Sequence, residues 1–188
     1  MTALAPTLTN RYLPNTLPHL RDLFLILAGS WLVALFAQVE IPLQPVPITG
    51  QTFAVLLVGA VLGSKRGALA LAAYLAQGAL GLPFFAGGAG GLTVLTGATA
   101  GYLVGFIGAA YAVGWLAERG LERSVRTSIL PFLVGTIIIY VCGVSWLAIL
   151  LGSVPQAIEF GMLPFLVGDL VKLIIAALVL PAAWKFVN

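Results

Sequence analysis

The chain has 188 residues, of which 61% are hydrophobic and 8% charged, with a mean hydropathy of +1.09 and a formal net charge of +3. Soluble domains carry about 25% charged residues, so this composition excludes a soluble fold and predicts an integral membrane protein. Its apolar runs are long and lack the two-residue alternation of a barrel strand, so the spans are expected to be helical throughout.

Residues 1–21 carry Pro6, Pro14 and Pro18 and little apolar continuity. They read as an N-terminal cytoplasmic segment and not as a signal peptide, because no apolar core is followed by a small-residue cleavage site. A first span is expected over roughly 22–39. Ser30 and Ala34 lie four apart on one face, where small side chains let another helix approach closely. Pro42, Pro45 and Pro47 then hold the backbone extended. The stretch Pro45-Val-Pro-Ile-Thr-Gly-Gln-Thr-Phe53 is a stiff strap that presents Thr49, Gln51 and Thr52 where the second span, roughly 50–63, begins. That span is short for a bilayer, which needs about 20 helical residues. The third, roughly 67–81, carries Tyr74 and Gln77 on one face.

Gly81 to Gly97 follows, with glycine at six of seventeen positions, including Gly87, Gly88, Gly90 and Gly91. Phe84, Phe85 and Thr93 stand among them, and the loop reads as a ligand wall or lid. No Lys-Ser/Thr follows the glycines, so a nucleotide-binding loop is not expected. The fourth span, roughly 98–118, has Gly101 and Gly105 four apart for close helix contact. The fifth runs roughly 129–152, a loop covers 153–162, and the sixth span runs roughly 163–184. The whole chain, 1–188, is a single membrane domain in this reading.

The basic residues test that six-span bundle. Arg11, Arg21, Lys65, Arg66, Arg119, Arg123, Arg126 and Lys185 all fall on one side of it. The positive-inside rule makes that side cytoplasmic and places both termini there. The positive charge is thus a topology signal and not a nucleic-acid-binding patch. Lys172 is the exception. It lies inside the sixth span, three residues after Asp169 and on the same face. An ionisable residue at that depth costs about 2.5–3.5 kcal/mol, which favours an interior, paired or ligand-contacting position.

The strap, the glycine loop and the Asp169–Lys172 pair converge at the outer mouth. With Thr49, Gln51, Tyr74, Gln77 and Phe85 they predict a pocket for a small amphiphile with an apolar body and a few polar groups. Catalytic and metal sites are not expected. The single histidine, His19, lies on the cytoplasmic side, the single cysteine, Cys142, sits in an apolar run, and neither HExxH nor GxSxG occurs. An ATP-binding motif is missing too, so active transport would draw its energy from partner chains.

Three segments carry a resemblance: Pro45 to Phe53, Gly81 to Gly91 with Gly97-Ala-Thr-Ala-Gly-Tyr102, and Pro164-Phe-Leu-Val-Gly-Asp-Leu-Val-Lys172. Together, in this order and over nearly the whole chain, they resemble the signature segments of the BioY family, the biotin-specific S components of energy-coupling factor transporters. The resemblance implies a biotin-binding subunit of the plasma (inner) membrane, associated with a coupling transmembrane subunit and two cytoplasmic ATPases that hydrolyse the ATP. It implies no cofactor in the chain itself. Asp169 would meet the ureido N–H groups of biotin, and Lys172 would support Asp169 or meet a polar ligand group. The glycine loop and the strap would supply hydrogen bonds and lid packing, and Ser30 and Ala34 a docking face for the coupling subunit. Two departures stand out: Ser30 begins a small-residue pair that is often AxxxA in relatives, and Ala89 occupies a loop position that is polar or basic in some. The competing reading is a stand-alone facilitator or secondary transporter for a small carboxylate.

Overall fold

The computed structural model describes residues 3–12 and 17–185, with the side chains of 9–12 outside that description. Pro14 and the side chain of Arg11, both part of the expected N-terminal segment, therefore lie outside the described residues. The apolar runs fold as helices: α1 Leu4–Tyr12, α2 Pro18–Ala37, α3 Gln51–Leu62, α4 Ser64–Ala79, α5 Ala100–Ala117, α6 Val125–Leu151, α7 Val154–Gly161 and α8 Leu166–Lys185. Four helical stretches are long and apolar enough to cross a membrane: Pro18–Ala37, Ala100–Ala117, Val125–Leu151 and the run Val154–Lys185, while Gln51–Leu62 is apolar but shorter.

Two boundaries differ from expectation for physical reasons. The strap is not one extended strand. Glu40–Ile41 (β1) and Ile48–Thr49 (β2) pair antiparallel, Glu40 opposite Thr49, and the three prolines lie in and beside the turn between them. Prolines cannot donate to a ladder, so they collect where the chain reverses. The loop 153–162 contains α7, opened by Ser153, whose hydroxyl accepts from Gln156 N at 3.5 Å, with Pro155 in the first turn. An N-cap serine followed by an early proline is a helix start.

The bundle is centred on α5. Its Gly101 and Gly105 face α6: a β-carbon at Gly101 would come 2.3 Å from Trp146 Cβ, and one at Gly105 3.0 Å from Cys142 Cβ. This is the close glycine contact the spacing implied. On its other side α5 meets the α3–α4 turn. Gly63 takes φ +84° there, a left-handed value that a side chain resists, and the turn lies directly on Gly114. Glu118, just past α5, closes the turn by accepting from Ser64 N at 2.8 Å and from Ser64 Oγ at 2.9 Å. A carboxylate on the free N–H groups of α4 is a charge-assisted cap. Arg66 of α4 binds Asp22 of α2 with two hydrogen bonds, 2.8 and 3.1 Å, at the same end.

Between α5 and α6, Glu122 is fully buried against Trp184 of α8. Among the described residues neither of its oxygens has a geometric hydrogen-bond partner, and Arg123 Nε is 3.9 Å away. Burial pushes its carboxyl above the usual range, and its own backbone N–H, Arg123 and Trp184 offset this only in part. The native state therefore holds a proton that the unfolded chain releases. Stability is greatest below the usual carboxylate range and falls as pH rises through the raised value. Glu122→Gln should raise the thermal midpoint in detergent near neutral pH and leave it unchanged in acid. An equal shift at both pH values would contradict this account.

Candidate ligand-binding site

A cavity of about 240 Å³ opens between the strap, the glycine loop and helices α3, α5, α6 and α8. This lies just below the usual range for ligand pockets, about 300–1,000 Å³, and suits a small molecule. Its walls are largely apolar and include Val46, Pro47, Phe85, Phe106, Ile139 and Phe165, with Ala86 and Ala89 from the glycine loop.

The polar face is one cluster. Asp169, in the first turn of α8, is 8% exposed. Its Oδ1 accepts from Lys172 Nζ at 2.9 Å and from Thr52 Oγ1 at 3.0 Å, and its Oδ2 accepts from Tyr140 Oη at 2.5 Å. The positive end of the helix dipole adds to this stabilisation. Lys172 Nζ also donates to Thr49 O at 2.7 Å and to Thr52 Oγ1 at 2.9 Å. An ammonium has three protons, and this one has three acceptors. The ion pair is therefore satisfied by α3, α6 and α8 together.

A second layer supports the first. Thr49 Oγ1 donates to Gln51 Oε1 at 3.0 Å, and Gln51 Nε2 donates to Tyr74 Oη. Tyr74 is fully buried, stacks on Phe84 and meets the edge of Phe85. Phe85 lies over Gly78, where a β-carbon would come 2.3 Å from its ring. Gln38, at the end of α2, fastens the loop by donating from Nε2 to Phe85 O at 3.2 Å.

Thr49, Gln51, Phe85, Asp169 and Lys172 thus come together around the cavity, as the sequence suggested. Others do not. Tyr74 stands behind Gln51 and outside the lining. Gln77 turns the other way: its Nε2 donates to Ser30 Oγ at 3.0 Å and its Oε1 accepts from Trp31 Nε1 at 3.1 Å. It ties α4 to α2, because helical spacing gives a face and not the neighbour that face meets. Gly87, Gly88, Gly90 and Gly91 are also outside the lining. Gly87 and Gly88 have φ +66° and +70°, and they shape the turn that delivers Ala86 and Ala89 to the wall. Ser30 is fully buried and Ala34 is 8% exposed, so in this conformation their face is packed inside the bundle and is not open to a partner. Sequence reasoning missed Tyr140, Tyr102, Thr99, Phe106 and Phe165. A phenol inside an apolar run was the available signal for Tyr140; the others become visible only once α5 and α8 are placed.

Comparison with known proteins places the chain in one family. The chain is 44% identical to the biotin transporter BioY of Thermotoga maritima over 155 residues, covering 82% of this chain and 86% of that one. It is 37% identical to the biotin transporter BioY of Rhizobium etli over 164 residues, covering 78% and 88%. A crystal structure of the S-component for biotin from an ECF-type ABC transporter superposes with a TM-score of 0.75 at 25% identity, covering 89% of this chain and 92% of that one. The profile of the BioY family matches residues 7–188, and the chain belongs to the BioY family.

Proposed function

We propose that the chain is a multi-pass subunit of the plasma (inner) membrane that captures biotin from outside and releases it inward when coupled to an ATP-driven module. The observation that carries this reading is the cluster that Lys172, Thr52 and Tyr140 form around the buried Asp169 on the wall of a largely apolar cavity. Biotin has the matching form: a polar ureido ring fused to an apolar sulfur ring with an aliphatic tail. Lys172, Thr52 and Tyr140 take three of the four lone pairs of Asp169; the fourth suits a ureido N–H group, and Gln51 and Thr99 supply donors for the ureido carbonyl. The aromatic and aliphatic walls take the sulfur ring and the tail.

The partners in this reading are a coupling transmembrane subunit and two cytoplasmic ATPases. Biotin-transporter relatives and the S-component structure support it. The bundle makes six crossings with both termini cytoplasmic, α3 and α4 serving as short spans. Supporting this, Lys65, Arg66, Arg119, Arg123, Arg126 and Lys185 sit at helix ends opposite the cavity in chain order. The chain acts as a transport subunit and not as an enzyme.

Isothermal titration of purified, ligand-exchanged protein with biotin should give tight one-to-one binding. Vesicles holding the chain alone should not concentrate biotin unless the ATPase module is added. Concentrative uptake of a small carboxylate without ATPases, and no heat with biotin, would favour the secondary-transporter reading.

A further inference from the structure

We propose that this site accepts biotin whose carboxyl group is capped as a neutral ester or amide about as well as it accepts the free acid. Its ligand class then includes carboxyl-linked biotin derivatives. The inference rests on the biotin reading above and concerns the end of the ligand that the polar cluster does not hold.

The cavity is sparsely charged. Among the described residues its lining contains one cation, Lys172, and one anion, Asp169. The other described basic side chains, from Arg21 and Lys65 to Lys185, belong to the opposite helix ends. Lys172 is not available to a ligand carboxylate. Its three protons go to Thr49 O, Thr52 Oγ1 and Asp169 Oδ1, at 2.7 to 2.9 Å. Turning the ammonium toward a second carboxylate would strip the buried Asp169 of its counter-charge, and such a group is costly to leave unpaired. The pair is a neutral unit that holds an uncharged polar ring.

With the ring at Asp169, we place the tail against Val46 and Pro47 of the strap and Ala86 and Ala89 of the glycine loop, which line the same cavity. Those side chains carry no charge and no hydrogen-bonding group. A carboxylate drawn in among them would lose its hydration with nothing in exchange. It therefore stays in water at the mouth. Glu40 adds to this: its carboxylate lies against the loop, with Oε1 3.1 Å from where a Gly87 β-carbon would stand. A negative rim gives a negative tail no advantage over a neutral one.

The test is a competition titration on purified, ligand-exchanged protein with biotin, biotin methyl ester and biotin amide. The three dissociation constants should agree within about tenfold, whereas a dedicated cation would favour the acid by about 10- to 100-fold. A free-acid preference above about tenfold overturns the proposal. Failure of biotin itself to bind would instead overturn the biotin reading, so the two failures are distinguishable. Ala89→Arg then places a cation at the mouth. It should raise the acid-over-ester ratio by about tenfold or more, and an unchanged ratio would show that the tail leaves by another route.

Discussion

Replacing Asp169 by Asn should lower biotin affinity by about 100-fold, with the protein still folded. Asp169 is the point on which the polar cluster converges, accepting from Lys172, Thr52 and Tyr140 at 2.5 to 3.0 Å. An amide of the same shape keeps one acceptor oxygen and turns the other position into a donor. At the Oδ2 position that donor faces the Tyr140 hydroxyl, at the Oδ1 position the Lys172 ammonium and the Thr52 hydroxyl, and in either case Lys172 loses its counter-charge. Each charge-assisted hydrogen bond contributes about 1.5–3 kcal/mol, and losing two gives about 3 kcal/mol or more, which is about 100-fold in affinity. Lys172 keeps Thr49 O and Thr52 as acceptors, so the bundle survives. Titration calorimetry together with a thermal melt checks both halves. Parent-like affinity in a folded variant would remove Asp169 from the site.

The second large effect is on stability. Gly114→Val should destabilise the bundle by about 3 kcal/mol or more, at the upper end of the usual range for overpacking. A β-carbon at Gly114 would lie 2.4 Å from both Gly63 C and Ser64 N. These are backbone atoms and cannot swing aside as a side-chain tip can. Relief requires moving the α3–α4 turn away from α5, which also breaks the Glu118 cap on Ser64. Gly108→Ala is the matched control. Its nearest neighbour is Ile138 Cγ2 at 3.4 Å, and alanine is the better helix former by about 1 kcal/mol. Its unfolding free energy in mixed micelles should stay within about 1 kcal/mol of the parent. Equal losses in both variants would refute the packing argument.

These two positions also mark what could be read in the sequence and what could not. Asp169 and Lys172 were legible because charge inside an apolar run is costly and must be explained. The glycines of α5 were legible as a contact face for the same local reason, a repeat of four. Partners across the bundle were not. Tyr140 and Thr52 come from separate helices, and only tertiary packing brings them to the same carboxylate. Gln77 shares a face with Tyr74 on paper, yet Tyr74 points toward Gln51 and Gln77 toward Ser30, because a wide helix face meets two neighbours. Ser30 and Ala34 promised a close approach, and they make one, with a helix of their own chain. The glycine loop was legible as a structural peculiarity of the site. Its glycines form the turn, and the surface offered to a ligand comes from the residues between them.

The Asp169–Lys172 ion pair lies within a single helix, three residues apart, and this bears on how the protein is made. The pair can close as soon as α8 coils, before any neighbour is present. The helix thus enters the lipid with its two charges already matched, at a lower cost than either residue would impose alone. Thr49 arrives with β2 and Thr52 with the first turn of α3 just after it, and Tyr140 with α6. The complete cluster exists only after those three segments have met. A newly inserted chain can therefore reach its full set of membrane crossings while still unable to hold a vitamin, and the ability to bind becomes a readout of finished assembly.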